Sequence, residues 1–335
     1  MFSNSILRTL PLVLVAACSA SADELVWQQL TAAAPWAPRY NHSVALHEDK
    51  MVLVAGQYIT RPFNDVWMSH DGVEWEQVLS VAHWRERADA SLVSFAGKLY
   101  LIGGTQLPIP MGDVWVSDDG YGWTQVFQSV WSNDKSEKDD SPFLPRIWDA
   151  ATAFRGNLVI AGGVRFNRDG TRPTYGNDVW IFDSKQWHRA TDAAWQPRAN
   201  HTLTAFKDHL YVIGGEIDLE LPDSGYSSEV WRTSDVSDWT LVSHAPWLRR
   251  SEHLTLATDA ALFVLGGTHA GARNDVWMSR DGEHWEQVGF LPHKCGRNRM
   301  AGLAMGNKLY LFGGWTEHEE HLSDVWVADL ATVLN

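Results

Sequence analysis

One stretch constrains this chain more than any other. Asn274 to Val288 reads NDVWMSRDGEHWEQV, and close copies recur at Asn64 to Val78, Gly112 to Val126, Asn177 to Ala190 and Ser228 to Val242. A further copy, SDVWVADL from Ser323, stops before its second Trp. A period of this kind sets the architecture before any single residue does. Each copy reads as two short strands around a tight turn, with Asp-Gly as the hairpin signal in several of them. A second hairpin precedes each copy: SLVSFAGKLYLIGG (Ser91 to Gly104), ATAFRGNLVIAGG (Ala151 to Gly163), LTAFKDHLYVIGG (Leu203 to Gly215), LTLATDAALFVLGG (Leu254 to Gly267) and GLAMGNKLYLFGG (Gly302 to Gly314). The first unit, Val44 to Gly56, carries Ala55 where the others have the first Gly. Two hairpins per unit make a four-stranded antiparallel meander, and a sixfold repeat of such units predicts an all-β, six-bladed propeller.

The truncated sixth copy predicts how the ring closes. Leu25 to Leu30, LVWQQL, matches the Trp-x-Gln-Val strand and has no unit in front of it. Placed beside Val325 to Asp329, it completes the last blade and leaves no open sheet edge. The chain has 19 Trp. Most fall in the repeated strand pair, and their regular placement predicts packing between blades.

The first residues hold an Arg, an apolar run from Leu10 to Ala17 and then small residues, which predicts an export signal over residues 1–22 and a propeller over 23–335. Two processing routes stay open. Ala20-Ser21-Ala22 reads as a signal-peptidase site releasing a periplasmic or secreted protein, whereas Val15-Ala16-Ala17-Cys18 reads as a lipobox, which would give an outer-membrane lipoprotein anchored through Cys18. Cys295 is the other Cys, so no internal disulfide is expected in the processed form. A net charge of -14 argues against nucleic acid or an anionic membrane surface as partner. A monomer is expected.

Leu-Tyr-x-x-Gly-Gly, preceded by Pro-Arg-x-x-His and followed by a Trp a dozen or more residues on, resembles the kelch repeat, and the likeness runs through all the units. The resemblance implies a kelch-type propeller, a fold used by protein-binding modules, by sialic acid epimerases and by the catalytic domain of galactose oxidase, so it leaves function open. Galactose oxidase chemistry requires a Cys joined to a Tyr beside copper, and Cys295 in HKCGR does not fit that pattern. Ser69 to Trp75 resembles the Asp-box of sialidases but is one residue short between Asp and Gly, and is read as a shared turn solution.

Registering the units on Gly-Gly places one Arg just before the first strand of every blade: Arg39, Arg87, Arg146, Arg198, Arg250 and Arg297. First strands line a propeller's channel, so these Arg are expected to ring its mouth and hold a carboxylate or sulfate. A structural role between blades, satisfying buried carbonyls, is the alternative for each. Two residues on stand Asn41, Asp89, Trp148, Asn200, Glu252 and Arg299, and strand alternation predicts that they share the Arg face and line the channel. Three residues on stand His42, Ala90, Asp149, His201, His253 and Met300. The His are expected to bond to backbone rather than metal, and no metal or cofactor is predicted. Trp36, Trp84, Phe143, Trp195 and Trp247, three residues before the Arg, suit either inter-blade packing or a sugar platform. Variable loops gather on the face where the first strands begin: Val164 to Gly176, Glu216 to Ser228, and the connection Phe127 to Pro145 with its charged run at 134–140.

The expected function is binding of an anionic ligand (acidic sugar, carboxylate, acidic glycan or acidic protein segment) at this mouth. The alternative is an enzyme acting on an acidic sugar, epimerase- or mutarotase-like, with Glu252 or Asp89 as acid or base.

Overall fold

Each Asp-Val-Trp run forms the third strand of a sheet, and each Leu-x-x-x-Gly-Gly run the second. A computed structural model describes residues 24–107, 109–129, 145–165, 173–183, 186–217 and 225–334. The expected leader, Cys18, Phe143, the run at 134–140 and the middle of both insertions lie outside the described residues.

The first blade is Tyr40–His47, Lys50–Tyr58, Val66–Ser69 and Glu76–Leu79, an antiparallel meander from the axis outward. Blades 2 to 5 repeat it, with innermost strands Ser91–Phe95, Ala150–Phe154, Thr202–Phe206 and Leu254–Ala257. Blade 6 is Ala301–Met305, Lys308–Thr316 and His321–Asp329, completed by the amino-terminal strand Trp27–Thr31 in the register Trp27↔Ala328, Gln28↔Val327, Gln29↔Trp326. The six innermost strands neighbour one another in a closed cycle, blade 6 returning to blade 1. The ring and its closure are those predicted from the repeat.

Second strands read as unbroken apolar runs because both of their faces are buried, and their alternation assigns residues to opposite seams. In blade 1, Met51 and Leu53 pack toward blade 6 while Val52 and Val54 pack toward blade 2. In blade 4, Leu210 and Val212 face blade 3 while Tyr211 and Ile213 face blade 5. The core is therefore a set of inter-blade seams, and no blade could bury its apolar surface alone. The Trp before Arg87, Arg198 and Arg250 fills the same seams: Trp84 meets Trp123 edge-on at 4.6 Å, Trp195 meets Trp239 at 4.3 Å, and Trp247 meets Trp285 at 4.8 Å. Of the two readings of these aromatics, packing is the one observed: Trp36, Trp84, Trp195 and Trp247 are buried.

The turn between the outer strands is held by its own side chains. Ser69 Oγ accepts from Gly72 N at 2.8 Å, and Asp71 Oδ1 accepts from Val73 N and Glu74 N at 2.8 and 2.9 Å. Those backbone donors hold the Asp71 carboxyl below its ordinary range. The same bonds recur at Ser117 with Asp119, Thr233 with Asp235, and Ser279 with Asp281.

The Arg column corrects the sequence reading. Arg39, Arg87, Arg146, Arg198 and Arg250 are at most 1 % exposed and Arg297 is 3 % exposed, so none of the six faces the channel. Each reaches into its own blade and meets the acid of the Asp-Val-Trp signature. Arg39 bonds both oxygens of Asp65 at 2.7 and 2.8 Å, and Arg87 those of Asp113 at 2.7 and 2.9 Å. Arg146 pairs with Asp178, Arg250 with Asp275, Arg297 with Asp324, and Arg198 with Glu229. The following Trp donates its indole N–H to the same carboxylate, as Trp67 does to Asp65 and Trp326 to Asp324. Each guanidinium also donates to the carbonyl of the first Gly position, Gly103 from Arg87 at 2.7 Å and Gly266 from Arg250 at 2.8 Å. Five donors in a planar fork suit such a site. The structural alternative for this column is the one realised, and the predicted cationic ring does not form.

Gly-Gly is explained by what would collide with it. A Cβ on the second Gly would strike the third-position residue of its own blade: His42 from Gly56, His201 from Gly215, Met300 from Gly314. A Cβ on the first Gly would strike the third-position side chain of the next blade: His201 from Gly162, His253 from Gly214, Met300 from Gly266. By the same registration Ala55 faces Ala90, the smallest residue of that column, and the two share one seam. Ala55 keeps the left-handed φ of 58° that the Gly positions adopt.

Two expectations follow. Ala90→His overpacks the blade 1–2 seam and costs about 1–3 kcal/mol; adding Ala55→Gly recovers most of it, and a double-mutant cycle in urea measures the coupling. Arg87→Met strands the Asp113 carboxylate and costs about 3–5 kcal/mol, whereas combining it with Asp113→Asn costs less than the sum of the two.

Candidate functional site at the channel mouth

The residue two past each Arg is where the chain turns from the seam into the innermost strand. It makes that turn in the left-handed region in every blade: φ is 53° at Asn41, 57° at Asp89, 59° at Trp148, 51° at Asn200, 55° at Glu252 and 51° at Arg299. Their amides and carbonyls link blade to blade. Asp89 N donates to Asn41 O, Asn200 N to Trp148 O, Glu252 N to Asn200 O, Arg299 N to Glu252 O and Asn41 N to Arg299 O, all at 2.9 to 3.1 Å. The sequence argument that these residues share the Arg face fails here, because it assumed an extended run. The left-handed residue breaks the alternation, so the Arg enters the seam while the second residue lines the channel.

Left-handed backbone costs a residue with a side chain roughly 1–2 kcal/mol, least for Asn and Asp. Asn41, Asn200 and Asp89 suit the conformation, whereas Trp148, Glu252 and Arg299 do not. Strained residues of that kind motivate a functional hypothesis when the surroundings hold them in place.

Two cavities meet at this belt. One of about 270 Å³ runs down the innermost strands, lined by the belt and by His42, Asp149, His201, His253 and Met300. The other, about 640 Å³, opens outward and shares Asn41, Asp89, Trp148 and Arg299 with it; Tyr40, Gln57, Thr60, Gln106 and Trp315 add to its wall. Arg299 lies over a pair of adjoining rings of that wall, its guanidinium carbon 5.6 Å from Tyr40 and 5.3 Å from Trp315, whose centres are 5.5 Å apart. Its Nε donates to Glu252 Oε1 at 2.7 Å. Trp315 stacks on His321 at 5.7 Å with planes 10° apart, and Gln57 Nε2 donates to the Tyr40 hydroxyl at 2.6 Å.

The charge of this site is opposite to that expected. Asp89, Glu216 and Glu252 are coupled to the Arg299 guanidinium, and Asp149, coupled to Asp89, lies within reach of Arg146. Burial pushes the Asp89 carboxyl up to about 7; Arg299 opposes the rise, and the charges of Glu252 and Asp149 add to it. Burial lifts Asp149 to about 6 against the pull of Arg146. Glu216 is raised by burial and by Glu252, while the Ser251 hydroxyl donates to its Oε1 at 3.2 Å. Crowding of buried carboxylates has this consequence wherever full ionisation would place like charges together in poor solvent.

His42, His201 and His253 pack on the Gly-Gly pairs, as the collisions above require. Burial lowers each to about 3, with the neighbouring Arg acting the same way, so the imidazoles are neutral. They come from blades 1, 4 and 5 and are structural parts of the seams.

Glu216 and Trp315 were missed in the sequence, although a signal existed. They occupy one column, the residue after Gly-Gly: Gln57, Thr105, Val164, Glu216, Thr268 and Trp315. It pairs, within its own blade, with the residue after the Arg, as in Tyr40↔Gln57, Ala199↔Glu216 and Asn298↔Trp315. Its variability resembles that of the belt.

The Kelch motif family matches residues 296–332, a span that holds Arg297, its partner Asp324 and Trp326. The chain folds as a β-propeller, carries a kelch motif in its last blade and is similar to kelch-repeat proteins. Kelch relatives include alpha-scruin of Limulus polyphemus, 27 % identical over 185 residues covering 51 % of this chain and 19 % of that protein. Kelch domain-containing protein 1 of Mus musculus is 25 % identical over 205 residues, covering 52 % of this chain and 50 % of that protein. The kelch chain thus aligns with half or less of these relatives' length. Among solved structures, that of YjhT superposes with a TM-score of 0.68 at 16 % identity, covering 88 % of this chain and 96 % of that one, which is a likeness of fold.

The raised carboxyls predict a pH effect with a definite sign. A carboxyl whose folded pKa exceeds its unfolded value contributes most below the unfolded value, and that contribution is lost as pH rises through the folded one. For Asp89 the window runs from about 4 to about 7. Its contribution to stability therefore falls across that window, while the buried His42, His201 and His253, lowered to about 3, act in the opposite direction. The Asp89 part is read as a difference, Asp89→Asn gaining on wild type as pH rises, by on the order of a few kcal/mol at neutral pH. Melting curves from pH 4 to 8 check this.

Proposed function

We propose that this kelch propeller is a binding protein whose ligand is a small, hydroxyl-rich organic molecule, in the simplest case a neutral saccharide, held in the outer cavity of the channel. The carrying observation is the belt itself: Trp148, Glu252 and Arg299 are kept at backbone angles that Asn or Gly would tolerate better, Trp148 and Arg299 lining the outer cavity and Glu252 the inner one. Pockets of this size with apolar walls and a few convergent polar groups are the usual form of a ligand site. The faces of Trp148 and Trp315 suit the C–H face of a pyranose. Asn41, Gln57, Gln106 and the carboxyls offer acceptors, and the amides and Arg299 donors, at angles that hydroxyls can satisfy.

The expected anionic ligand fits this mouth less well. The Arg39, Arg87, Arg146, Arg198, Arg250 and Arg297 charges are spent in the seams, Arg299 is already paired with Glu252, and a second anion would meet Asp89 as well. A second reading, catalysis on the same sugar, is favoured by one feature: Asp89 holds a proton near neutral pH beside Glu252, which is a proton donor and acceptor at one site.

Calorimetric titration with neutral, amino and acidic sugars tests the proposal. Neutral or amino sugars should bind, with Trp148→Ala and Arg299→Ala each weakening affinity by about tenfold or more, equivalent to about 1.4 kcal/mol. Arg198→Lys, a seam residue, should leave affinity unchanged in the folded protein. Selective binding of acidic sugars, or no effect of Trp148→Ala, would refute this reading.

A further inference from the structure

A separate group of donor atoms lies at the rim of the same face, outside the belt. Cys295 ends the connection from blade 5, and Glu317 and His318 sit in the turn after the second strand of blade 6. Among the described residues they form a cluster in which Sγ, a carboxylate oxygen and an imidazole nitrogen all lie within 4.8 Å of one another. The segments that carry them are fastened together. Glu317 N donates to Gly296 O at 3.1 Å, Gly296 N to Glu317 Oε1 at 3.3 Å, and Arg297 pairs with Thr316 in a short ladder. The turn is closed on itself, with Thr316 N donating to Glu320 O at 3.0 Å and Thr316 Oγ1 accepting from His318 N and Glu320 N at 3.3 and 3.2 Å.

We infer that Cys295, Glu317 and His318 form a transition-metal site, with zinc(II) as the ion the donor set fits best. A thiolate, an imidazole and a carboxylate are the ligand types zinc takes, at about 2.3, 2.0 and 2.0–2.2 Å, and three protein ligands leave a fourth tetrahedral position for water. Those bond lengths put ligand atoms about 3.3–3.7 Å apart, so contraction of the present cluster by about 1 Å through side-chain rotation completes it. Thiolate and carboxylate together neutralise a divalent ion, and Glu319 and Glu320 on the same turn keep the local field favourable to a cation. Calcium and magnesium prefer all-oxygen shells and do not match a Cys-His pair. On binding, the Sγ–H bond breaks, its proton leaves to solvent, and the sulfur lone pair forms the metal bond. No redox partner is required.

The rest of the protein explains why the site stands apart. Arg297 begins two residues after Cys295 and is sealed against Asp324, so the Cys is anchored at the edge of the seam without belonging to it. Trp315 immediately precedes the turn and lines the outer cavity, which places an ion here at the border of the ligand mouth.

Titration of the metal-free full chain with cobalt(II), followed by displacement with zinc(II), tests this. The expected result is a one-to-one complex with a thiolate-to-cobalt charge-transfer band and the intense visible bands of tetrahedral cobalt, both erased by zinc. Cys295→Ser should abolish the charge-transfer band, and His318→Ala should weaken cobalt binding by more than about tenfold, since even outer-shell partners are commonly worth that much. Cys18→Ser separates the other thiol: a band lost in that variant and kept in Cys295→Ser would overturn the proposal. So would an octahedral cobalt spectrum, or Cys295 reacting with a thiol reagent at the same rate with and without zinc. Unchanged circular dichroism of each variant shows that a loss reflects the site and not the fold.

Discussion

Everything in this molecule depends on one buried arrangement, a guanidinium held between a carboxylate and a backbone carbonyl at the start of every blade. The side chain of Arg198 is fixed inside blade 4, while its amide donates to Gly176 O and its carbonyl accepts from Gly163 N, both in blade 3. Arg250 does the same between blades 4 and 5, through Ser227 and Gly215. The residue is thus a rivet, charged at its side chain and hydrogen-bonded through its backbone to the preceding blade, and it joins neighbours that otherwise meet through the apolar seams and the belt. A buried ion pair on its own is weak evidence for stability. Here its value lies in register, because the forked geometry admits one position of each blade relative to the next. The carboxylate is further satisfied by the indole of the Trp two residues on, so both charges find partners without water.

The rivet also explains why the channel has the character it does. Pulling the Arg into the seam forces the chain to reverse within two residues, and only a left-handed turn achieves that. The backbone of the belt is then over-determined by the rivet on one side and the innermost strand on the other. Bonds from blade to blade fix it further. Side-chain identity at the belt is therefore released from any structural duty, which is why Asn, Asp, Trp, Glu and Arg can all occupy equivalent places in a single ring.

Much of this was legible in the residues. The blade number, the strand order and the closing strand followed from a repeat whose units carry strand-like alternation and turn residues in step. The seams were visible in the apolar second strands. What misled was the inference from the Arg column to a cationic mouth. The partner acids were equally regular, one in each Asp-Val-Trp or Glu-Val-Trp copy, and an equal column of opposite charge is the mark of internal pairing. The pairing stayed hidden because the separation varies, 26 residues for Arg39 with Asp65 but 32 for Arg146 with Asp178, so registering on Gly-Gly aligned the bases and not their partners. The alternation argument failed for a different reason: nothing in Arg-x-Trp or Arg-x-Glu announces a positive φ, since those residues seldom adopt one.

Ala55 shows how far such a reading can go once contacts are known. In the sequence it was simply a departure from Gly-Gly in the first unit. Against Ala90 it becomes a compensated pair, because the blade that lacks a bulky third-position residue is the one whose neighbour needs no Gly. The methyl group of Ala55 fills part of the space that an imidazole or thioether occupies in blades 1, 4, 5 and 6, at the cost of a left-handed backbone that Gly would take more easily. The same reasoning separates the belt from its surroundings. Where a position is set by collision, as at the third-position His, the residue reports on its neighbours; where it is strained without any collision to demand it, as at Trp148, Glu252 and Arg299, the proposed ligand is the reason offered for it.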